Sequence, residues 1–253
     1  MHRRADGKHG GNRMYYETTV HVRVKQDIQF RYRMEKLAAF LDTALAKSSE
    51  YAAMHENGSF KYYSFSPLSS DARVSDRSEI GKVGTLCRFT VRTPDRKLAE
   101  YFRNTAKNTE TEEYRGEYAE FKAKTLHYGE YISCQTPCAV TSGSSREEFA
   151  LQAMNAKYML SLANRSAVKK YNACTQGEKI PEETQVFDSL QVLSSVPDRI
   201  PFKGRTELGV RYKMHICCSS ENAMKAAEAC FAAGFFEKTA RGFGYGFLLR
   251  KGV

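Results

Sequence analysis

His55 and Lys61 are the two side chains whose types and spacing could do chemistry together. His55 closes a short helical stretch, Asn57-Gly58 turns the chain, and Lys61 follows on an extended segment. A helix end joined by a short turn to a strand can bring both to one sheet edge. Imidazole titrates near neutrality and can move a proton between oxygens. A fixed ammonium can stabilise negative charge building on a phosphate. Such a pair suits cleavage of RNA by attack of its own 2′-hydroxyl on the adjacent phosphate, which needs no metal. The same residues also read as a surface histidine beside a surface lysine, and spacing alone leaves both readings open.

The second candidate segment runs from Gly234 to Gly246, Gly-Phe-Phe-Glu-Lys-Thr-Ala-Arg-Gly-Phe-Gly-Tyr-Gly. Gly242, Gly244 and Gly246 remove side chains from one edge, so backbone N–H groups could approach a phosphate closely, with Lys238 and Arg241 adding charge. The competing reading is a tight turn whose glycines let a helix pack on a sheet. No Gly-Lys-Ser/Thr is present, so this is no P-loop, and the segment does not lie between a strand and a following helix, as a dinucleotide fingerprint must. Arg241-Gly-Phe-Gly-Tyr is similar to the aromatic strand motif of RNA-recognition modules, but too little chain follows it for that module.

These segments sit in a chain of 253 residues with a formal charge of +10, 42% hydrophobic and 27% charged. That composition excludes a disordered chain, and no apolar run is long enough for a transmembrane helix. A basic balance points to a polyanion as partner. The excess is uneven: residues 1–13 carry net +3, residues 14–197 net +2, and the last 56 residues net +5. The first 13 read as a disordered arm. Within the C-terminal share, Arg199, Lys203, Arg205, Arg211 and Lys213 stand against Glu207 in one stretch. They read either as a phosphate-gripping hairpin edge or as an ordinary solvated basic strand. There are 15 Tyr and 15 Phe. Such aromatics can stack on bases, though most aromatics in any fold are core.

Seven cysteines form no even framework, and no apolar leader precedes them, so a reduced cytoplasmic setting is expected. Cys134-x-x-x-Cys138 and Cys217-Cys218 lack a second, properly spaced Cys/His pair, so buried thiols are expected rather than a metal site, and no cofactor is called for.

Alternation at residues 15–25 predicts a strand, and Leu37, Phe40, Leu41, Ala44 and Leu45 an amphipathic helix. A short turn through Met54 and strands at 60–65 and 85–92 follow, with a polar loop at 69–84 between them. Thr93-Pro94-Asp95 predicts a helix start with Thr93 as N-cap. A charged stretch at 107–124 then leads to a strand near 124–133. The second half repeats the order. It has a strand near 138–141 and one long helix opened by Ser145-Arg-Glu-Glu148 through Ala163. Strands at 185–193 and 209–217, a helix capped by Ser219-Ser220 and ended by Gly234, and a strand at 243–249 complete it. Two βαββαβ units imply an α+β chain of two tandem ferredoxin-like domains, 14–133 and 134–253.

Three segments coincide in one further way. Tyr51-Ala-Ala-Met-His55-Glu-Asn-Gly58, Phe60-Lys-Tyr-Tyr-Ser-Phe-Ser-Pro-Leu68 and the Gly234–Gly246 loop together resemble the CRISPR-associated endoribonucleases that process precursor CRISPR RNA. These are the sixth Cas family of the RAMP superfamily, and the resemblance spans about Met14 to Arg250. It implies two ferredoxin-like domains and metal-independent cleavage within the CRISPR repeat, leaving a 2′,3′-cyclic phosphate and a 5′-hydroxyl. By position His55 matches the catalytic histidine and Lys61 the phosphate-stabilising lysine. The tyrosine of some members is replaced by Phe40, a core position without a hydroxyl, so His55 is expected to carry more of the proton transfer, with Tyr51, one helical turn before it, as a candidate substitute. Phe236 stands where the family loop often has glycine. Repeat RNA is the implied partner, gripped by Arg199, Lys203, Arg205 and Arg211 and by Gly234, Lys238, Arg241, Gly242 and Gly244. Other Cas proteins of an effector complex and a second copy of the chain are further candidates, and no membrane is involved. The competing reading is a non-catalytic RNA-holding subunit of the same superfamily.

Overall fold

Alternation builds the first strand: Val20, Val22 and Val24 turn into a core from β1 (Tyr15–Val24). The computed structural model describes residues 15–56, 61–70, 80–126, 130–134, 136–139, 145–217 and 220–249, so the arm expected at 1–13 lies outside them. A 3-10 turn (Phe30–Tyr32) leads into α1 (Arg33–Leu45), which buries the apolar stripe that its period requires. α2 (Ser49–Glu56) follows. β2 (Ser64–Phe65) and β3 (Ser69–Ser70) are short pairings on the long β4 (Leu86–Thr93). β3 thus lies within the expected 69–84 loop. α3 (Arg96–Thr105) opens on Asp95, whose carboxylate accepts from the N–H groups of Lys97 and Leu98. Thr93 is therefore not the cap. It ends β4, and its hydroxyl donates to the Tyr62 carbonyl at 2.6 Å.

The charged stretch itself forms β5 (Tyr114–Lys124), the closing strand of the first sheet, in place of the strand expected near 124–133. Tyr114 and Gly116 face inward, a bulge opposite His21 and Val22 shifts the alternation, and the remaining charges line an edge strand. The sheet runs β2-β4-β1-β5, all antiparallel, the order of one ferredoxin-like unit.

The second sheet has the equivalent order, β11-β6-β10-β7, from β6 (Tyr131–Cys134), β7 (Phe187–Val192), β10 (Tyr212–Ile216) and β11 (Gly246–Leu249). Its opening strand is β6, not 138–141; Cys138 and Ala139 make only single bridges, to Val210 and Glu237. The expected division at 133/134 therefore cuts through β6, and the sheets part between Lys124 and Tyr131. The expected single helix is two, α4 (Arg146–Ala153) and α5 (Ala156–Cys174). Asn155 interrupts it by accepting from the Tyr158 N–H at 3.1 Å. α6 (Glu221–Ala233) is capped by Ser220 and ends at Gly234, as its sequence predicts. A separate hairpin, β8 (Asp198–Phe202) and β9 (Arg205–Gly209), turns at Lys203 and Gly204, both at positive φ as a two-residue hairpin turn requires.

Each half completes the core of the other. Tyr15 of β1 packs edge-on to Phe231 in the second core, at 5.2 Å between centroids, and Phe202 of the hairpin is buried in the first. Between them lies Arg92 of β4, only 4% exposed. Its guanidinium donates to Glu17 at 2.9 Å, to the Tyr245 hydroxyl at 2.9 Å and to the Gly246 carbonyl at 2.9 Å. It also lies 3.8 Å from the Phe231 ring centroid.

Two glycines give a controlled comparison. Gly204 has φ +73° and open space around a would-be Cβ, whereas at Gly244 (φ +66°) a Cβ would sit 2.0 Å from the Phe235 carbonyl oxygen. Gly204→Ala is expected to cost about 1–2 kcal/mol, the left-handed penalty alone. Gly244→Ala should cost on the order of 4 kcal/mol, because backbone must move. Urea unfolding midpoints of the two variants check the ranking.

Candidate functional site

On the first half, Lys61 lies on the extended lead into β2, with Nζ 3.4 Å from Asp42 Oδ1 on α1. Both side chains are partly buried, so α1 holds the ammonium in place. Sequence reasoning missed Asp42; its only signal was a carboxylate beside the apolar Leu41. His55 is in the last turn of α2, and its side chain lies outside the described residues. Tyr51 is buried and packs on Tyr101 at 4.6 Å, and burial pushes its phenol up. Its ring is committed to packing, which weighs against its expected role as a substitute catalytic tyrosine. Phe40 is core, edge-on to Phe89 and Tyr114. Two strand histidines have structural partners: His21 stacks on Tyr118 at 3.9 Å, and His215 Nδ1 lies 2.8 Å from Asp188. His2, His9 and His127 lie outside the described residues.

The glycine loop folds onto this same region. Thr239 donates to the Tyr63 carbonyl, two residues beyond Lys61, at 3.1 Å. A Cβ on Gly234 would meet Ser64, and one on Gly242 would meet Met34 and Phe65. The close approach is therefore to protein. Gly234, Gly242 and Gly244 are buried, and the Gly242 and Gly244 N–H groups already donate to the Thr239 and Pro137 carbonyls. This corrects the expected phosphate cradle at Gly242 and Gly244, since donors spent internally cannot grip a ligand. Phe236 occupies its place at φ +58°, buried against Tyr212. Lys170 of α5, buried and unflagged by the sequence, donates to the Gly234 carbonyl and anchors the loop; burial pushes its ammonium down.

Charge gathers where loop meets hairpin. Glu207 of β9 pairs with Lys238 at 2.5 Å and with Arg241 at 3.2 Å. Arg241 lies 5.4 Å from the Phe202 ring centroid and Lys203 5.9 Å from it. Arg205 stands opposite Phe202 on the same face. Not all the expected residues converge. The register sets Arg199 opposite Leu208, on the other face of the hairpin. Arg211 pairs with Asp198 at 3.7 Å, and Lys213 lies over Tyr131 in the second sheet.

No family model matches the sequence, and no curated protein matches it. Solved structures do match. A RAMP protein described as binding different RNA substrates superposes with TM-score 0.69 at 15% identity, over 93% of this chain and 100% of that one. A CRISPR-associated Cas6 protein gives 0.66 at 16% identity, over 93% and 100%. Thermus thermophilus Cas6 gives 0.55 at 16%, over 95% and 100%. The fold is that of the Cas6 and RAMP proteins. In this Cas6-like fold, the loop, the hairpin, α1 and the Lys61 segment meet where the two ferredoxin-like units join.

Among the described residues, no group of three or more His, Cys, Asp or Glu is placed to hold a metal ion, and no helix is long and apolar enough to cross a membrane. Cys138 Sγ donates to Cys134 Sγ at 3.4 Å inside the second core. Arg241 is half-exposed and shares Glu207 with Lys238, so its charge is only partly neutralised. For a polyanion such as RNA laid on this face, Arg241→Ala is expected to weaken binding and to lower the slope of log affinity against log salt by about one. Filter-binding titrations at several salt concentrations measure both.

Proposed function

We propose that this chain binds CRISPR repeat RNA and cleaves it without a metal, releasing guide RNAs that end in a 2′,3′-cyclic phosphate and a 5′-hydroxyl. The 2′-oxygen bonds to phosphorus, the bond to the 5′-oxygen breaks, and the proton given up by the 2′-hydroxyl is balanced by one delivered to the 5′-oxygen. His55 moves the proton. Lys61, held by Asp42, stabilises the charge on phosphorus oxygens. Lys203, Arg205, Lys238 and Arg241 hold the backbone of the RNA.

The observation that carries this reading is the convergence at the junction. Lys61, held by Asp42, comes from one half, and the loop with Lys238 and Arg241, tied to the hairpin through Glu207, comes from the other; Thr239 of that loop donates to the Tyr63 carbonyl beside Lys61. The likeness of the whole chain to a Thermus thermophilus Cas6, solved also as a product complex, supports it. The test is incubation with repeat RNA in excess EDTA, with end analysis of the fragments. Fragments bearing cyclic phosphate are expected. Intact RNA would remove the nuclease reading, and cleavage only without EDTA would remove its metal independence. A non-catalytic RNA-holding role is favoured by one observation, that both candidate positions for a catalytic tyrosine, Phe40 and Tyr51, are buried in packing. RNA bound tightly and never cut would be its signature.

A further inference from the structure

Phe30 is the most exposed large apolar side chain among the described residues, at 83%. It opens the 3-10 turn before α1, and cations flank it. The Arg33 guanidinium lies 5.4 Å from the Phe30 ring centroid and is itself held by the Ile28 carbonyl at 3.4 Å. Arg31 lies 4.7 Å from the Tyr32 ring and donates to the Gln29 side chain at 3.2 Å. The ring is therefore presented on a fixed turn with a positive charge beside it.

This turn is not isolated. Strand β8 packs against it, and the Lys203 N–H at the hairpin tip donates to Glu35 of α1 at 2.8 Å. Phe202 plugs the hairpin into the first core next to α1. Phe30, Arg31 and Arg33 thus continue the basic surface of Lys203, Arg205 and Arg241 onto the first half. An exposed ring on a fixed turn offers a face on which a planar base can stack, and the neighbouring guanidinium groups can meet its phosphate. An unpaired nucleotide offers both, a base for the ring and a phosphate for the arginines.

We infer that the Phe30–Arg33 turn is a stacking subsite for one unpaired nucleotide of the bound RNA, with Phe30 carrying the base and Arg31 the phosphate. This rests on the RNA-binding reading above and adds to it a place where single-stranded RNA is read outside the proposed cleavage centre.

The test compares wild type, Phe30→Ala, Phe30→Trp and Arg31→Ala in binding repeat RNA at several salt concentrations. Phe30→Ala is expected to weaken binding about tenfold with an unchanged salt slope, because a stack releases no counterions. Phe30→Trp should restore affinity, and Arg31→Ala should lower the slope by about one. Thermal melts check that the exposed substitutions leave the fold intact. Wild type that fails to bind any RNA would sink the parent reading. Wild type that binds while Phe30→Ala binds equally well would sink the subsite alone. Loss of a dimer on size exclusion in Phe30→Ala, with RNA affinity unchanged, would assign the ring to a protein contact and overturn the inference.

Discussion

His55→Ala is expected to slow cleavage of repeat RNA by about 10²–10⁴-fold while RNA affinity stays within a factor of two or so. The reason lies in the division of labour between the halves. The cations proposed to grip RNA sit on the loop, the hairpin and the turn before α1, whereas His55 belongs to α2. The substitution falls at the end of α2, an eight-residue helix at the margin of the first core, so folding should survive it. Wild-type rates should show a limb in the imidazole range of pH, and the residual rate of the variant should not. Single-turnover cleavage with saturating enzyme separates this from binding. Cleavage undiminished in His55→Ala would remove the histidine from the mechanism and leave Lys61 without a proton-transfer partner.

The second large effect is structural. Arg92→Ala should destabilise the protein by about 3–5 kcal/mol, the range for breaking a buried ion pair. The loss is not of one bond. It leaves the Tyr245 hydroxyl and the Gly246 carbonyl without this donor in the junction between the halves, and Glu17 with Lys124 alone as counter-charge. Lysine cannot rescue it, since one ammonium cannot reproduce a planar fork that serves three acceptors and stacks on Phe231. Adding Glu17→Gln to Arg92→Ala should recover part of the loss. Acid should do the same. Burial alone would raise Glu17, but Arg92 and Lys124 beside it outweigh that and hold it below the usual carboxylate range. The contribution of the pair is therefore full above the unfolded carboxylate value and is lost as pH falls through the lower folded value. In Arg92→Ala the carboxylate loses its chief counter-charge and protonates more readily. The stability gap between variant and wild type should accordingly narrow as pH drops below about 5. Urea unfolding at several pH values measures it.

Much of the fold could be read from periodicity because most elements have one wet face and one dry face. β1, α1, β4 and β10 all show it in sequence. The errors came where that rule breaks. β5 is a charged edge strand with a bulge, so its alternation is of charge and changes phase midway. The break between α4 and α5 is a single asparagine cap inside a continuing apolar period. At the site, Lys61 and Arg241 could be singled out by type and neighbourhood. Asp42, Lys170 and Arg92 could not, because each looks like an ordinary surface charge until the chain brings its partner from far along the sequence. The glycines were noticed for their freedom, and the freedom proved to serve packing against Met34, Phe65 and Phe235.

The exchange of core residues between the halves also has a timetable. The first sheet is complete once β5 ends at Lys124, but its core lacks Phe202 until nearly 80 further residues have been made. At about 5–20 residues per second, that is a delay of roughly 4–16 seconds during synthesis. For that interval the nascent N-terminal half carries an open apolar socket beside α1. The hairpin that fills it also carries Lys203 and Arg205, so on the ribosome the step that fills the socket also mounts these two cations beside α1.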